Sequence, residues 1–220
     1  MSRHLQRDLD QLKKDILLLG SMVEKSINNA VLAFHDRRPE LCEVVFSDEL
    51  LINDKEVEIE QECLKILALH QPVAVDLRFI VVVLKVNNDL ERIGDFAVNI
   101  AKRAIYLSSK SPIACPKDFS HGMFQRIQTM VRGSLDALVK LDVEFARNVI
   151  AMDNEVDRVN RQMYVELQAL MMEDPSTVDR AIGLLSTSRY LERIADLATN
   201  IAEEVIFMVE GEVVRHKEEV

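Results

Sequence analysis

The chain has 220 residues, 48% of them hydrophobic, with six Gly, five Pro and no Trp, enough for a well-buried core and for two units of ordinary domain size. Scarce Gly and Pro in a chain rich in Leu, Ile, Val, Glu and Lys predict an all-helical protein. A formal net charge of −10 excludes the basic face that a nucleic-acid-binding module presents.

Apolar residues recur at three- and four-residue spacing between a few well-placed breakers: Pro39, Pro72, the pair Pro112 and Pro116, and Asp174-Pro175. The pattern predicts helices over 4–36, 39–69, 73–109, 118–141, 143–172 and 175–210. The first apolar run, Ile16 to Leu19, follows a charged amphipathic stretch and does not form a signal core. The longest apolar block, Phe79 to Leu84, falls far short of the roughly 20 residues that span a bilayer, so the expectation is a soluble cytoplasmic protein. The segment Arg78 to Val86 is β-branched enough to be a strand on propensity, but its counterpart Arg180 to Ser186 has no strand character, and equivalent halves share a fold. Pro112 to Pro116 reads as a linker, with Ser108 and Ser109 before it and Asp118 and Ser120 after it as terminators and caps.

Two halves are implied by an internal repeat. Leu90-Glu-Arg-Ile-Gly-Asp-Phe-Ala-Val-Asn-Ile-Ala101 returns as Leu191-Glu-Arg-Ile-Ala-Asp-Leu-Ala-Thr-Asn-Ile-Ala202, identical at nine of twelve positions. The expected architecture is therefore two tandem three-helix bundles, residues 1–111 and 112–220.

Each copy carries two acids four residues apart, Glu91/Asp95 and Glu192/Asp196, which on a helix share one face with their carboxylates about 5–6 Å apart. With 37 acids in the chain, roughly six such pairs arise by chance, so position decides their meaning. Glu91 and Asp95 lie beside the apolar stripe of Leu90, Ile93, Gly94, Ala97, Ala101 and Ala104, on a surface face that a cation can reach. Residues level on an antiparallel hairpin are equidistant from its turn. Reflection through Asp174-Pro175 sets Asp153 and Asp157 opposite Glu192 and Asp196, and reflection through Pro72 sets Glu49 and Asn53 opposite Glu91 and Asp95. The rival stretch Asp54-Lys-Glu-Val-Glu58 centres about five residues, or roughly 7–8 Å, out of level. Facing acid pairs suit Mg²⁺, Mn²⁺, Ca²⁺ or iron. Equally, Arg92, Arg193 or lysines on neighbouring helices could neutralise them as a salt-bridged face.

Cys42, Cys63 and Cys115 are odd in number and form no CxxC, and read as reduced thiols packed in helices. His4, His35, His70, His121 and His216 have no counterparts between the halves. No Glu-x-x-His pair of a di-iron bundle, phosphate-cradling glycine loop or Gly-x-Ser-x-Gly elbow occurs, and no catalytic residue is assigned.

The chain resembles the PhoU family in Leu90-Glu-Arg-Ile-Gly-Asp95 with Ala97 and Asn99, in Gln71-Pro-Val-Ala-Val-Asp-Leu-Arg78, in Tyr190-Leu-Glu-Arg-Ile-Ala-Asp196 with Asn200 to Glu203, and in Gly211. The resemblance covers essentially the whole chain. It implies two tandem three-helix bundles and a cytoplasmic, non-enzymatic homodimer that reaches the membrane only through partners. It also implies a negative regulator of the phosphate-starvation regulon that restrains uptake by linking the ATPase subunit of a phosphate ABC transporter to a sensor histidine kinase. The family's acid motifs, which hold multinuclear iron or zinc clusters, fall on Glu49, Asn53, Glu91 and Asp95 and on Asp153, Asp157, Glu192 and Asp196; Mn or Mg would suit the same donors. Asn53 stands where an acid is usual, Ala195 replaces a usual Gly, and Leu197 a frequent His. A metal-dependent enzyme or a metal-storing scaffold built on these carboxylates is the alternative.

Overall fold

In the computed structural model, six long helices are laid side by side: α1 (Arg3–His35), α2 (Glu40–His70), α3 (Ala74–Ser108), α4 (Phe124–Lys140), α5 (Val143–Glu173) and α6 (Val178–Glu210). The structure describes residues 3–114 and 118–211, without the side chains of 118, 120 and 121. Cys115, His216, Pro116 and the side chains of the capping candidates Asp118 and Ser120 lie outside that description. All six predicted helices are present within a few residues, and Arg78 to Val86 is helical.

Local chemistry explains the ends. Gln71 takes a left-handed φ of 45° and donates its N–H to the Leu67 carbonyl, and Pro72 then blocks any continuation of α2. Asp142 caps α5 by accepting from the Phe145 N–H. Asp174 accepts from the Ser176 N–H and opens a 3₁₀ turn, Pro175–Thr177, ahead of α6. Gly211 closes α6 at φ 77°, with its N–H on the Phe207 carbonyl. The fourth helix differs from expectation: it enters through a π turn, Asp118–Met123. The wide turn brings Phe119 and Phe124, five residues apart, onto one face, where both meet Phe34 edge-on at 6.0 and 6.1 Å.

Three ion pairs zip α1 to α2: Asp8 with His70 at 3.0 Å, Asp15 with Lys55 at 2.7 Å and Asp48 with Lys25 at 3.1 Å. Across the molecule, α3 packs along α6, and α1 against α4. The buried apolar side chains consequently form one continuous core from Leu12 and Ile16 through Ile93 and Ala97 to Ile194 and Ile201. Helix α1 is long and apolar enough to cross a membrane, but half of its apolar stretch is buried within this core. Cys42 and Cys63 are buried free thiols, and burial pushes the Cys63 thiol up to about 12.

Candidate functional site

Register on the α2–α3 hairpin is fixed by contacts at three heights. The Cys42 thiol reaches the Ala101 carbonyl, Ile52 faces Gly94, and the Asn87 amide donates to both the backbone and the carboxylate of Glu56, at 2.9 and 3.1 Å. That register sets Glu49 and Asn53 abreast of Asp95 and Glu91, as hairpin reflection predicted. On the α5–α6 hairpin the equivalent polar contact runs from the Ser188 hydroxyl to Asn160 Oδ1 at 2.7 Å, and it sets Asp153 and Asp157 abreast of Asp196 and Glu192.

The second face is the more charged. Burial, then repulsion from Asp196, Asp157 and Glu192, pushes the Asp153 carboxyl up to about 6. Desolvation followed by Asp196 and Asp157 raises Glu192, while Arg189 and Arg193 oppose the shift. Asp196 reaches solvent, yet desolvation and then Asp157 raise it as well. Asp153 Oδ1 is buried without a hydrogen-bond partner, whereas Asp157 pairs with Arg161 one turn on at 3.3 Å.

On the first face, burial raises Glu91, followed by Asp95, then Glu56, with Glu49 a weaker neighbour and Arg92 in opposition. Glu56 itself is raised by desolvation and then by Glu60. Hairpin geometry set the Asp54–Glu58 stretch aside as out of level, and hydrogen bonds hold Glu56 level with Asn87, one turn before Glu91. The Glu56 carboxylate, held by the 1% exposed Asn87, is near enough for its charge to raise Glu91, while Glu58 pairs with Lys55 at 2.8 Å. Asn53, where an acid is usual, is exposed.

The two readings of these faces are separable. If the motif arginines neutralised the acids, they would pair with them. Instead Arg92 turns to Asp89 at 3.8 Å, and Arg193 lies over the Phe96 ring at 5.7 Å. Among the described residues neither makes an ion pair with Glu91, Asp95, Glu192 or Asp196. Nor, among the described residues, are three His, Cys, Asp or Glu side chains gathered closely enough to hold an ion. Like charges without a counter-ion spread apart, so a cation would have to draw these side chains inward. Their chemistry fits that role: hard oxygen donors, a buried unpartnered oxygen at Asp153 and open solvent for water ligands.

The motif departures have small structural effects. A Cβ on Gly94 would meet Ile52 at an ordinary 3.4 Å, so the Ala195 of the second copy costs the packing nothing there. Leu197 is buried, 3% exposed, and supplies no donor.

The sequence matches the PhoU domain over residues 16–104 and again over 121–205. It is 38% identical over 218 residues to the phosphate-specific transport system accessory protein PhoU homolog of Pseudomonas putida, spanning 98% of this chain and 84% of that protein. The homolog from Clostridium acetobutylicum is 35% identical over 207 residues, 94% of each chain. The crystal structure of PhoU from Pseudomonas aeruginosa superimposes with a TM-score of 0.91 at 38% identity, covering 94% of this chain and 99% of that one. The phosphate transport system regulatory protein PhoU from Streptococcus pneumoniae gives 0.88 at 28% identity, covering 96% and 99%. Two matched repeats, a shared six-helix fold and near full-length relatives place the chain in the PhoU family.

Proposed function

We propose that this protein is a regulatory accessory of high-affinity phosphate transport that represses the phosphate-starvation response. The observation that carries the reading is the near full-length identity to phosphate-specific transport accessory proteins, together with the S. pneumoniae structure's name as a regulatory protein. In this reading the protein is cytoplasmic and homodimeric. It contacts the ATPase subunit of a phosphate ABC transporter and a sensor histidine kinase, and favours the kinase's repressing state by binding that state better. No catalytic step is assigned to it. Deleting the protein is expected to leave starvation genes expressed in phosphate-rich medium; a starvation reporter that stays silent in the deletion strain would sink the repressor role. A pull-down at high and low phosphate, scored for the ATPase subunit and the kinase, tests the adaptor role.

The acid faces have a part in this reading. Asp153, Asp157, Glu192 and Asp196 on one hairpin, and Glu49, Glu91 and Asp95 on the other with Asn53 and Glu56, would hold iron, zinc, manganese or magnesium. The bound ion supplies positive charge that relieves their repulsion and stabilises the folded state by mass action. Because the second face offers four acids and the first three with an amide, Glu192→Ala with Asp196→Ala is expected to lower bound metal more than Glu91→Ala with Asp95→Ala, at unchanged helix content. Elemental analysis of untagged protein reads this. Equal, near-zero metal in wild type and both variants after incubation with each metal refutes it.

A further inference from the structure

Because α3 and α6 run side by side, the two motif arginines open onto one cleft of about 480 Å³ between α3, α5 and α6. Arg92 lines it from α3, Asp153 from α5, and Arg193, Asp196, Thr199 and Asn200 from α6. Three polar groups there are unused. Thr199 Oγ1 is buried without a hydrogen-bond partner, as is Asp153 Oδ1. The Arg193 guanidinium touches the Phe96 ring, itself stacked on Tyr190 at 6.0 Å, and makes no hydrogen bond among the described residues. A guanidinium seated over an aromatic ring is partly oriented before any ligand arrives, and its fork of donors matches the spacing of phosphoryl oxygens.

Charge decides what can enter. Arg92 is shared with Asp89, and Arg193 lines the cleft together with Asp153 and Asp196, so a bare oxyanion gains little from the guanidiniums that the carboxylates do not take back. A bare cation is likewise opposed by Arg193. An oxyanion and a divalent cation together satisfy both walls.

We propose that this cleft is a composite site for a phosphate oxyanion and a divalent cation: the cation on Asp153 and Asp196, the oxyanion on Arg193 and Arg92, with the Thr199 hydroxyl donating to it. The site deepens the cation reading given above and rests on it. It joins residues of both halves of the repeat, so occupancy ties α3 to α5 and α6.

The test is equilibrium dialysis of the full, untagged chain against labelled inorganic phosphate, and in a separate arm against ATP, each with and without Mg²⁺ or Mn²⁺. Retention is expected only with the cation, at least tenfold tighter than without it; whichever arm retains label identifies free phosphate or a nucleotide phosphoryl group as the source. Arg193→Gln is expected to weaken retention at least tenfold, and Thr199→Val by less, both with cation stoichiometry and melting temperature unchanged. Bound cation with neither label retained overturns the composite site and leaves the cation reading standing. So does retention that ignores the cation, or that Arg193→Gln leaves intact. A protein that takes up no cation at all sinks both.

Discussion

Replacing Lys85 by Met is expected to lower the stability of the fold by about 2–4 kcal/mol. Glu204 on α6 is 2% exposed, and the Lys85 ammonium reaches both its carboxylate oxygens from α3 at 3.1 Å. Removing that ammonium takes one charged partner from a buried carboxylate; breaking a wholly enclosed pair costs about 3–5 kcal/mol. Lys85 keeps 43% of its side chain in solvent, which places the expectation toward the lower part of that range. The same ammonium lies 5.3 Å from the Phe207 ring, and Arg78 braces the neighbouring turn by donating to the Met208 carbonyl at 3.2 Å. The loss therefore falls on the joint between the two halves. A chain of this size shifts by roughly 2–4 °C per kcal/mol, so thermal melting should drop by about 5–15 °C. Lys85→Met combined with Glu204→Met removes both charges and should recover most of the loss. A Lys85→Met protein that melts with wild type shows that the pair contributes nothing.

Asp153→Asn should act in the opposite direction on metal-free protein. The Asp153 carboxyl is raised from 3.8 to about 6 by burial and by Asp196, Asp157 and Glu192, so the folded state binds its proton more tightly than the unfolded chain does. The sign follows from linkage. Below the unfolded value both states are protonated and no penalty exists; between about 4 and 6 the folded state resists ionisation and stability falls as pH rises; above 6 the loss is complete and constant. Two pK units correspond to roughly 2–3 kcal/mol, so Asp153→Asn should melt roughly 4–10 °C higher than wild type at pH 7.5 without metal, with the difference vanishing near pH 4. Saturating divalent cation should reverse the order, because wild type gains about 2.7 kcal/mol at a hundred times Kd and the amide variant gains less. Melting curves that are parallel from pH 4 to 8 would show that the acidic face carries no strain.

The sequence by itself determined what is local and periodic. Helix extents follow from apolar spacing and from Pro39, Pro72 and Pro175, and the structure returns them within a few residues. The duplicated motif announced two equivalent halves, and hairpin reflection put Glu49, Asn53, Asp153 and Asp157 at the right heights because a helix rises uniformly along its axis. Tertiary structure alone decided everything that depends on direction around the axis and on contacts distant in the chain. Glu56 acts on Glu91 as a charged neighbour while buried Asn87 holds its carboxylate, a side-chain reach that counting residues from a turn cannot express. Arg92 and Arg193 sit beside the acids in sequence but turn to Asp89 and to Phe96, since neighbours one position apart on a helix point about 100° apart. The π turn before α4 puts Phe119 and Phe124 on one face, where both meet Phe34 from the other half. The continuous core arises the same way: the apolar stripes of α3 and α6 give each helix a buried face, but only packing chooses each as the other's partner.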